Sequence, residues 1–352
     1  MTNNRLLNVA YIGNGKSVNR YHIPFVLSRK DKIKIKSIYS MNRSLDVWKD
    51  IEGVYYTENL DEVLNDPEID VVVVNTPSKF HYEYAKKVLL AGKNCVVEKP
   101  FTQKLSETIE LFDIAKEKGL ILEAYQNRRF DSDFLTVQKV IESGKLGELL
   151  EIESHYDYYR PEIPNKVDHY SKDSSYIYNH ACHTFDQIIS YFGKPDSVHY
   201  DVREILGKNR MNDYFDVDMY YGLLKVSVKS SYFRVKQRDK FIVYGKKGMF
   251  IKKNEDRQEL DLKHFYMPDN SDFGLDRPED YGTLIYYDDN GIYHEEKVIS
   301  EKGDYAYYYD ALYETIINGK EPLVKSEETI LLISMLEEAV KDLEKEALDA
   351  NK

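Results

Sequence analysis

Residues 6–18 read Leu6-Leu7-Asn8-Val9-Ala10-Tyr11-Ile12-Gly13-Asn14-Gly15-Lys16-Ser17-Val18. An apolar run of strand length ends on two glycines one residue apart, and Tyr21 to Leu27 then reads as a short helix. Strand, glycine turn and helix in that order open a βαβ unit. The first glycine permits the tight turn, and the second lets the backbone approach a pyrophosphate seated on the helix start. The position that usually holds a third glycine or alanine is Val18, which sets helix and strand further apart. Lys16 and Ser17 add a charge and a hydroxyl beside the phosphates. Two glycines are also all that a plain turn needs, so the reading depends on the strands and helices further along the chain.

Working outward, Ile33 to Tyr39 reads as a second strand, followed by Ile69 to Val74, Asn94 to Val97 and Leu120 to Ala124. Helical segments separate them at Asp61 to Asn65, Phe80 to Ala91 and from Ser106 onward. Largely apolar strands alternating with helices predict a parallel sheet covered on both faces. In such a unit the end of the second strand selects the cofactor, because a carboxylate there binds the ribose 2′-hydroxyl of NAD and repels a 2′-phosphate. The sequence Ile38-Tyr39-Ser40-Met41-Asn42-Arg43 has none. Ser40 can donate a hydrogen bond, and Arg43 can pair with a phosphate or stack over adenine. NADP is therefore expected in preference to NAD, unless Arg43 is only a solvated loop cation.

The pattern changes near residue 125. Phe130 to Ser143 and Tyr176 to Phe192 read as helices. Leu149 to Tyr158 alternates, with Leu150, Ile152, Tyr156 and Tyr158 on one face and Glu151, Glu153, His155 and Asp157 on the other. From Val198 to Ile299 the chain is mostly strand-like, with a hairpin signal at Asn290-Gly291. Two helices follow, near Tyr305 to Asn318 and Ser326 to Glu346. The expected division is a dinucleotide-binding domain over 1–124 and a substrate-binding and oligomerisation domain over 125–352.

Bulk composition agrees with two globular domains, since 352 residues exceed one ordinary core. Forty-nine basic against 61 acidic side chains give a net charge of −12, which argues against nucleic acid as a partner. The longest purely apolar runs are about five residues, far below the ~20 that span a bilayer, so no membrane partner is expected. Only two cysteines, Cys95 and Cys182, and no apolar signal core at the start fit a reducing, cytoplasmic setting.

Four motifs lie in order: Gly13-x-Gly15 with Tyr21-His22-Ile23-Pro24, then Asn75-Thr76-Pro77 with His81, then Glu98-Lys99-Pro100, then Asn179-x-x-x-His183-x-x-Asp186. Together they resemble the glucose–fructose oxidoreductase, inositol dehydrogenase and MocA (Gfo/Idh/MocA) family. The most specific stretch is Ala91-Gly92-Lys93-Asn94-Cys95-Val96-Val97-Glu98-Lys99-Pro100-Phe101. Arg20-Tyr21-His22 and Tyr125-Gln126-Asn127-Arg128-Arg129-Phe130 look like a bacterial subgroup that includes NADP-linked scyllo-inositol dehydrogenases. The resemblance implies an α/β protein, with an N-terminal Rossmann domain and a C-terminal α+β domain. The second domain's open-faced, mixed and mostly antiparallel sheet would join a homodimer or homotetramer.

The resemblance also implies a site. Gly13, Gly15, Lys16, Ser17, Val18, Ser40, Arg43, Asn75, Thr76, Pro77, His81, Glu98 and Gln126 would bind the cofactor. Asn75, Thr76, Pro77 and His81 would line its nicotinamide side, and the peptide before Pro100 is often cis. Arg128, Tyr158, Arg160 and His180 would meet the substrate, a sugar, a cyclic polyol or the related ketone.

Hydride transfer from an alcohol needs the hydroxyl proton to leave and the carbon hydride to face the nicotinamide. His183 can take the proton, because imidazole titrates near neutrality. Lys99 as ammonium can orient the hydroxyl and stabilise alkoxide charge. Asn179, one helical turn before His183, stands where many members of the family have aspartate; it keeps hydrogen bonding but not charge. Metal is not expected, since Cys182 points away from the face shared by His180 and His183. Two alternatives remain open on the residues alone. One is a non-catalytic NAD(P)-binding sensor or regulator of the same fold, and the other is a structural oligomer with a vestigial cleft.

Overall fold

The computed structural model describes residues 5–208 and 210–350, and for 347–350 the backbone alone. Its first sheet has six strands: β1 (Leu7–Ile12), β2 (Ile33–Tyr39), β3 (Tyr55–Thr57), β4 (Val71–Val74), β5 (Asn94–Val97) and β6 (Leu122–Ala124). They lie in the order β3-β2-β1-β4-β5-β6, all parallel. This is the doubly wound arrangement whose ligands bind beyond the strands' carboxyl ends, where the order reverses between β1 and β4. Burial on both faces explains why these strands read as continuous apolar runs, with Val71, Val72, Val73 and Val74 all fully buried. The intervening helices are α1 (Ile23–Leu27), α2 (Leu60–Leu64), α3 (His81–Leu90) and α4 (Leu105–Lys118).

The second sheet has eight strands. They are β7 (Leu149–His155), β8 (Ser197–Arg203), β9 (Tyr214–Tyr221), β10 (Leu224–Ser231), β11 (Phe241–Gly245), β12 (Gly248–Lys252), β13 (Gly282–Tyr287) and β14 (Tyr293–Val298). Their order is β14-β13-β12-β11-β7-β10-β9-β8, antiparallel except for β7 beside β10. Helices α5 (Ser132–Glu142) and α6 (Tyr176–Phe192) pack on one face. The opposite face carries apolar rungs, Ile242 opposite Ile251 and Met249 opposite Ile285, all only half-buried. Further along, the rungs are charged, with Lys225 paired to Glu151 and Lys229 to Asp216. The hairpin expected at Asn290-Gly291 joins β13 to β14.

The elements after β12 depart from the expected run of strands. Helix α7 (Gln258–Lys263) interrupts it, and α8 (Ala306–Asn318) and α9 (Ser326–Ala350) close the chain. Among the described residues, 5–127, 259–273 and 305–333 form one compact unit; 128–208, 210–258, 274–304 and 334–350 form the other. A single cut at residue 124 therefore misses two returns of the chain. Their cause is visible in the packing, where Phe25 of α1 takes Phe273 at 6.0 Å and Tyr305 at 5.3 Å between ring centroids. Leu150, near the start of β7, is 37% exposed, while Ile152 and Tyr156 are buried. Among the described residues, no helix is long and apolar enough to cross a membrane.

A cluster of acids lies inside the second unit. Asp131, Asp133 and Asp256 are all buried. Asp256 accepts hydrogen bonds from the backbone N–H groups of Ser132 and Gln258 at 2.7 Å, and its own N–H donates to Asp133 at 2.8 Å. Burial, together with repulsion from Asp133, pushes the Asp256 carboxyl up to about 7. A raised acid holds its proton in the folded state where the unfolded chain has lost it. Its stabilisation is complete below the unfolded value near 3.8 and is lost as pH rises towards 7. Asp256→Asn should accordingly gain on the wild type by about 3 kcal/mol between pH 5 and pH 8.5. Denaturant unfolding of both proteins at the two pH values measures this, and a pH-independent difference between them would contradict it.

Candidate functional site

At the carboxyl edge of the parallel sheet, Gly13 has a φ of +112°, and a Cβ placed there would lie 2.8 Å from the carbonyl oxygen of Asn75. Only glycine fits both constraints. A Cβ on Gly15 would meet nothing within 4 Å, so the turn leaves open space above its second glycine. Lys16 is exposed there. Val18 is fully buried and begins a wide, i→i+5 turn over Val18–His22 that runs into α1.

The Ser17 hydroxyl does not face outward alone; it donates to Glu98 Oε1. Glu98 stands just past β5 and gathers the neighbouring segments. His22 Nε2 lies 3.1 Å from the same oxygen, and the Lys99 backbone N–H donates to Oε2 at 2.8 Å. Burial opposes the charge on Glu98. The hydrogen bond from His22, the charges of His22 and Lys99 and the Ser17 hydroxyl outweigh it and hold the carboxyl down at about 2. His22 is braced in turn. Its Nδ1 lies 2.6 Å from the Tyr309 hydroxyl, which lies 3.1 Å from that of Tyr11, and Tyr125 stacks on the ring at 3.9 Å. Sequence reasoning singled out His22 only as part of a motif and missed Tyr11 and Tyr309. No local pattern marks a tyrosine 287 residues from the histidine it holds.

The Lys99–Pro100 peptide is cis. Lys99 is half-buried, and among the described residues no carboxylate lies within ion-pair distance of its ammonium. Glu98 is already engaged by Ser17, His22 and the Lys99 N–H, and does not pair with the lysine side chain. Beside this turn, at the end of β4, the Asn75 amide nitrogen lies 2.8 Å from His22 Nε2. Asn75 Oδ1 and Thr76 Oγ1 are buried without a hydrogen-bond partner among the described residues. Buried polar atoms left unmatched at a ligand-binding edge fit a polar ligand that completes them. With the space over Gly15, they fit a dinucleotide lying across the turn. Pro77 is exposed at the same edge, and Gln126 is buried after β6.

His81 corrects the expectation that it lines the nicotinamide. It is 1% exposed, with Nδ1 2.8 Å from the Pro100 carbonyl and Nε2 2.8 Å from the Thr76 carbonyl. Burial lowers its pKa, against the hydrogen bonds to the Pro100 and Thr76 carbonyls, which favour the protonated ring. It clasps the ends of β4 and β5 from behind instead of offering a nitrogen to a ligand.

The tip of β2 also differs from its reading. Arg43 donates from Nη2 to both Asp50 oxygens at 2.9 and 2.7 Å, its backbone N–H donates to Glu58, and its guanidinium lies 4.5 Å over Tyr56. Ser40 donates to Asp46 at 2.7 Å, and Asn14 of the glycine turn donates to the other Asp46 oxygen at 2.8 Å. Residues 38–43 hold no carboxylate, but the loop folds one back onto them.

In the second unit, α6 carries Asn179, His180 and His183. His183 is buried. His180 sits in an aromatic group, 4.5 Å from Tyr176 and 5.0 Å from Tyr158, with Nε2 3.3 Å from the Tyr232 hydroxyl. Arg160, itself exposed, lies 4.4 Å over Tyr158, and Arg128 lies 5.2 Å over Tyr156 and pairs with Asp131 at 3.3 Å. These four predicted residues thus gather around the tyrosines that follow β7 and β10. Asn179 instead turns its amide N–H groups to the backbone carbonyls of Asp173 and Ser175, both at 2.9 Å, which ties the first turn of α6 to the loop before it. No hydrogen bond joins it to His183 among the described residues. Asp186, one turn beyond His183, forms a buried two-point ion pair with Arg129 at 2.8 and 2.7 Å.

Comparison with known proteins adds to this geometry. Residues 7–126 match the model of an oxidoreductase family's NAD-binding Rossmann fold, and residues 138–347 match the same family's C-terminal alpha/beta domain. The chain is 47% identical over 333 residues to the uncharacterized oxidoreductase YhhX of Escherichia coli, covering 94% of this chain and 95% of that protein. It is 33% identical over 337 residues to the scyllo-inositol 2-dehydrogenase (NADP+) IolW of Bacillus subtilis, covering 95% and 93%. The crystal structure of an oxidoreductase from Bacillus cereus superposes with a TM-score of 0.90 at 44% identity, covering 95% and 96% of the two chains.

Proposed function

The chain belongs to the Gfo/Idh/MocA oxidoreductase family, and from that premise we propose that it interconverts a hydroxyl and a carbonyl group on a sugar or cyclic polyol, using a nicotinamide dinucleotide. The observation that carries the proposal is Lys99. Its ammonium stands half-buried on the turn after β5, free of a carboxylate partner, beside the glycine turn and the unmatched oxygens of Asn75 and Thr76. An ammonium so placed can donate to a substrate oxygen and favour the alkoxide over the alcohol. The bound nicotinamide supplies the hydride acceptor or donor. The chain's own residues do the rest.

Gly13, Gly15 and Ser17 would receive the pyrophosphate region, with Asn75 and Thr76 turned towards the nicotinamide end. Glu98, fixed as a carboxylate, would hold the turn that aims Lys99. His183 would take the hydroxyl proton in oxidation and return it in reduction. Arg128, Tyr158, Arg160 and His180 would contact the substrate's other hydroxyls. IolW acts on scyllo-inositol, which supports a cyclic polyol as the substrate class. The half-buried apolar rungs on the open side of the second sheet support assembly into a homodimer or homotetramer through that face.

One feature favours the non-catalytic reading. Asn179 is committed to its own helix start and does not support His183. The test is reduction of NAD and NADP across a panel of inositols, aldoses and polyols, followed by absorbance. Turnover with a cyclic polyol or sugar is expected. Saturable dinucleotide binding with no turnover in either direction across the panel would favour a sensor.

A further inference from the structure

The end of β2 carries the choice between the two dinucleotides, and the structure there rests on residues that no local motif marks. Because β1 and β2 are parallel neighbours, their carboxyl ends lie at the same edge, and the Gly13 N–H donates to the Tyr39 carbonyl at 2.8 Å. The glycine turn and the β2 tip are thus one surface. Asp46 lies in the joint between them. Ser40, from the strand end, donates to one of its oxygens at 2.7 Å, and Asn14, from the glycine turn, donates to the other at 2.8 Å. Ser40 and Asn14 are each only 8% exposed, while Asp46 is half-exposed. In this fold the adenosine ribose sits beside the end of the second strand.

We infer that the Asp46 carboxylate receives the adenosine ribose hydroxyls and selects NAD over NADP. This rests on the dinucleotide site proposed above. Two neutral donors fix the carboxylate's position while leaving each oxygen a lone pair, so it can accept from two adjacent hydroxyls at once. Among the described residues, no cation pairs with it. Arg43, the residue that would recognise a 2′-phosphate, gives Nη2 to both Asp50 oxygens and stacks on Tyr56, with Nη1 buried and unmatched among the described residues. Asp46, Asp50 and Glu58 on this surface set three carboxylates against the one guanidinium, with Lys16 and Lys49 exposed at its margins. A 2′-phosphate brought here adds negative charge beside an unneutralised carboxylate, an interaction that costs roughly a factor of ten to a hundred in affinity and weakens with added salt.

Titration of the full-length protein with NADH and NADPH, read by nicotinamide fluorescence, tests this without relying on turnover. The wild type should bind NADH at least about tenfold more tightly. Asp46→Asn and Asp46→Ser should move the ratio at least about tenfold towards NADPH, chiefly by tightening NADPH. Arg43→Ala should leave the ratio within about threefold. A wild type that prefers NADPH, an unchanged ratio in both Asp46 variants, or loss of NADPH binding on Arg43→Ala would each overturn the assignment to Asp46 while leaving the dinucleotide site intact. Failure of the wild type to bind either dinucleotide would overturn the site itself, and this inference with it.

Discussion

Lys99→Ala should lower turnover by a factor of about 10²–10⁴ while dinucleotide affinity changes by no more than a few-fold. The ammonium acts on charge that develops at the substrate oxygen, an interaction stronger in the transition state than in the ground state, so the loss belongs in kcat as well as kcat/KM. The backbone around it does not depend on the side chain. It is the Lys99 N–H, which alanine retains, that bonds Glu98. Since the side chain is half-exposed and makes no ion pair, its truncation should cost little stability, within about 0.5–1 kcal/mol. Lys99→Arg keeps the charge but changes its shape and cannot deprotonate, so it should recover only part of the rate. His183→Ala should lose turnover on the same scale with cofactor binding retained. Steady-state kinetics on the responsive polyol, with dinucleotide titrations and thermal melts of each variant, read all three quantities. Near-normal rates in both alanine variants would remove these residues from the chemistry.

The parts of the fold and site that the sequence made legible are those decided locally. The strands β1, β4 and β5 are apolar throughout because both faces are covered, and their limits fall within a residue or two of the runs that announce them. The glycine turn is legible in part for the same reason, since the positive φ of Gly13 is a local demand, whereas the close approach of the Asn75 carbonyl is not. Helices α5 and α6 show their apolar spacing directly. Strand β3 is three residues long and carries no pattern of its own, and α7 spans only six residues.

The illegible parts are long-range. His81 could be placed on a helix beside the site, but not assigned to two backbone carbonyls that a distant turn brings to it. Asp46 lies six residues beyond Ser40, outside the window in which the usual acidic residue is sought, and only the folded loop returns it to the strand tip. Arg43 reads as a free cation until Asp50 and Tyr56 close on it. Asn179 reads as the partner of His183 from its spacing, yet spacing cannot show that the amide donates to the carbonyls of Asp173 and Ser175 instead. Such outcomes turn on competition among polar partners. Hydrophobic periodicity, which reveals the elements, does not rank those partners.

The Arg129–Asp186 pair is the strongest case of that kind, and its loss should be the largest single effect on stability. The two side chains are 8% and 4% exposed and meet through two parallel N–H···O bonds, Nε to Oδ2 at 2.8 Å and Nη2 to Oδ1 at 2.7 Å. The pair bridges 57 residues, fastening the segment before α5 to the middle of α6. Asp186→Ala would remove the two-point partner of a buried guanidinium, which costs about 3–5 kcal/mol. For a unit of this size that lowers the melting temperature by roughly 6–20 °C. Asp186→Asn keeps the shape and one acceptor and should lose less. The decisive comparison is the double variant Arg129→Met with Asp186→Leu. Removing both charges also removes the buried guanidinium that the single variant leaves behind, so the double variant should be more stable than Asp186→Ala alone, by about 2 kcal/mol or more. A double variant as unstable as the single one would mean that the cost lies in lost packing and not in the guanidinium left behind. Because Asp186 stands one turn beyond His183, the same variants also separate support from chemistry. If the pair only holds α6 in place, turnover measured well below the melting temperature should recover in the double variant along with stability.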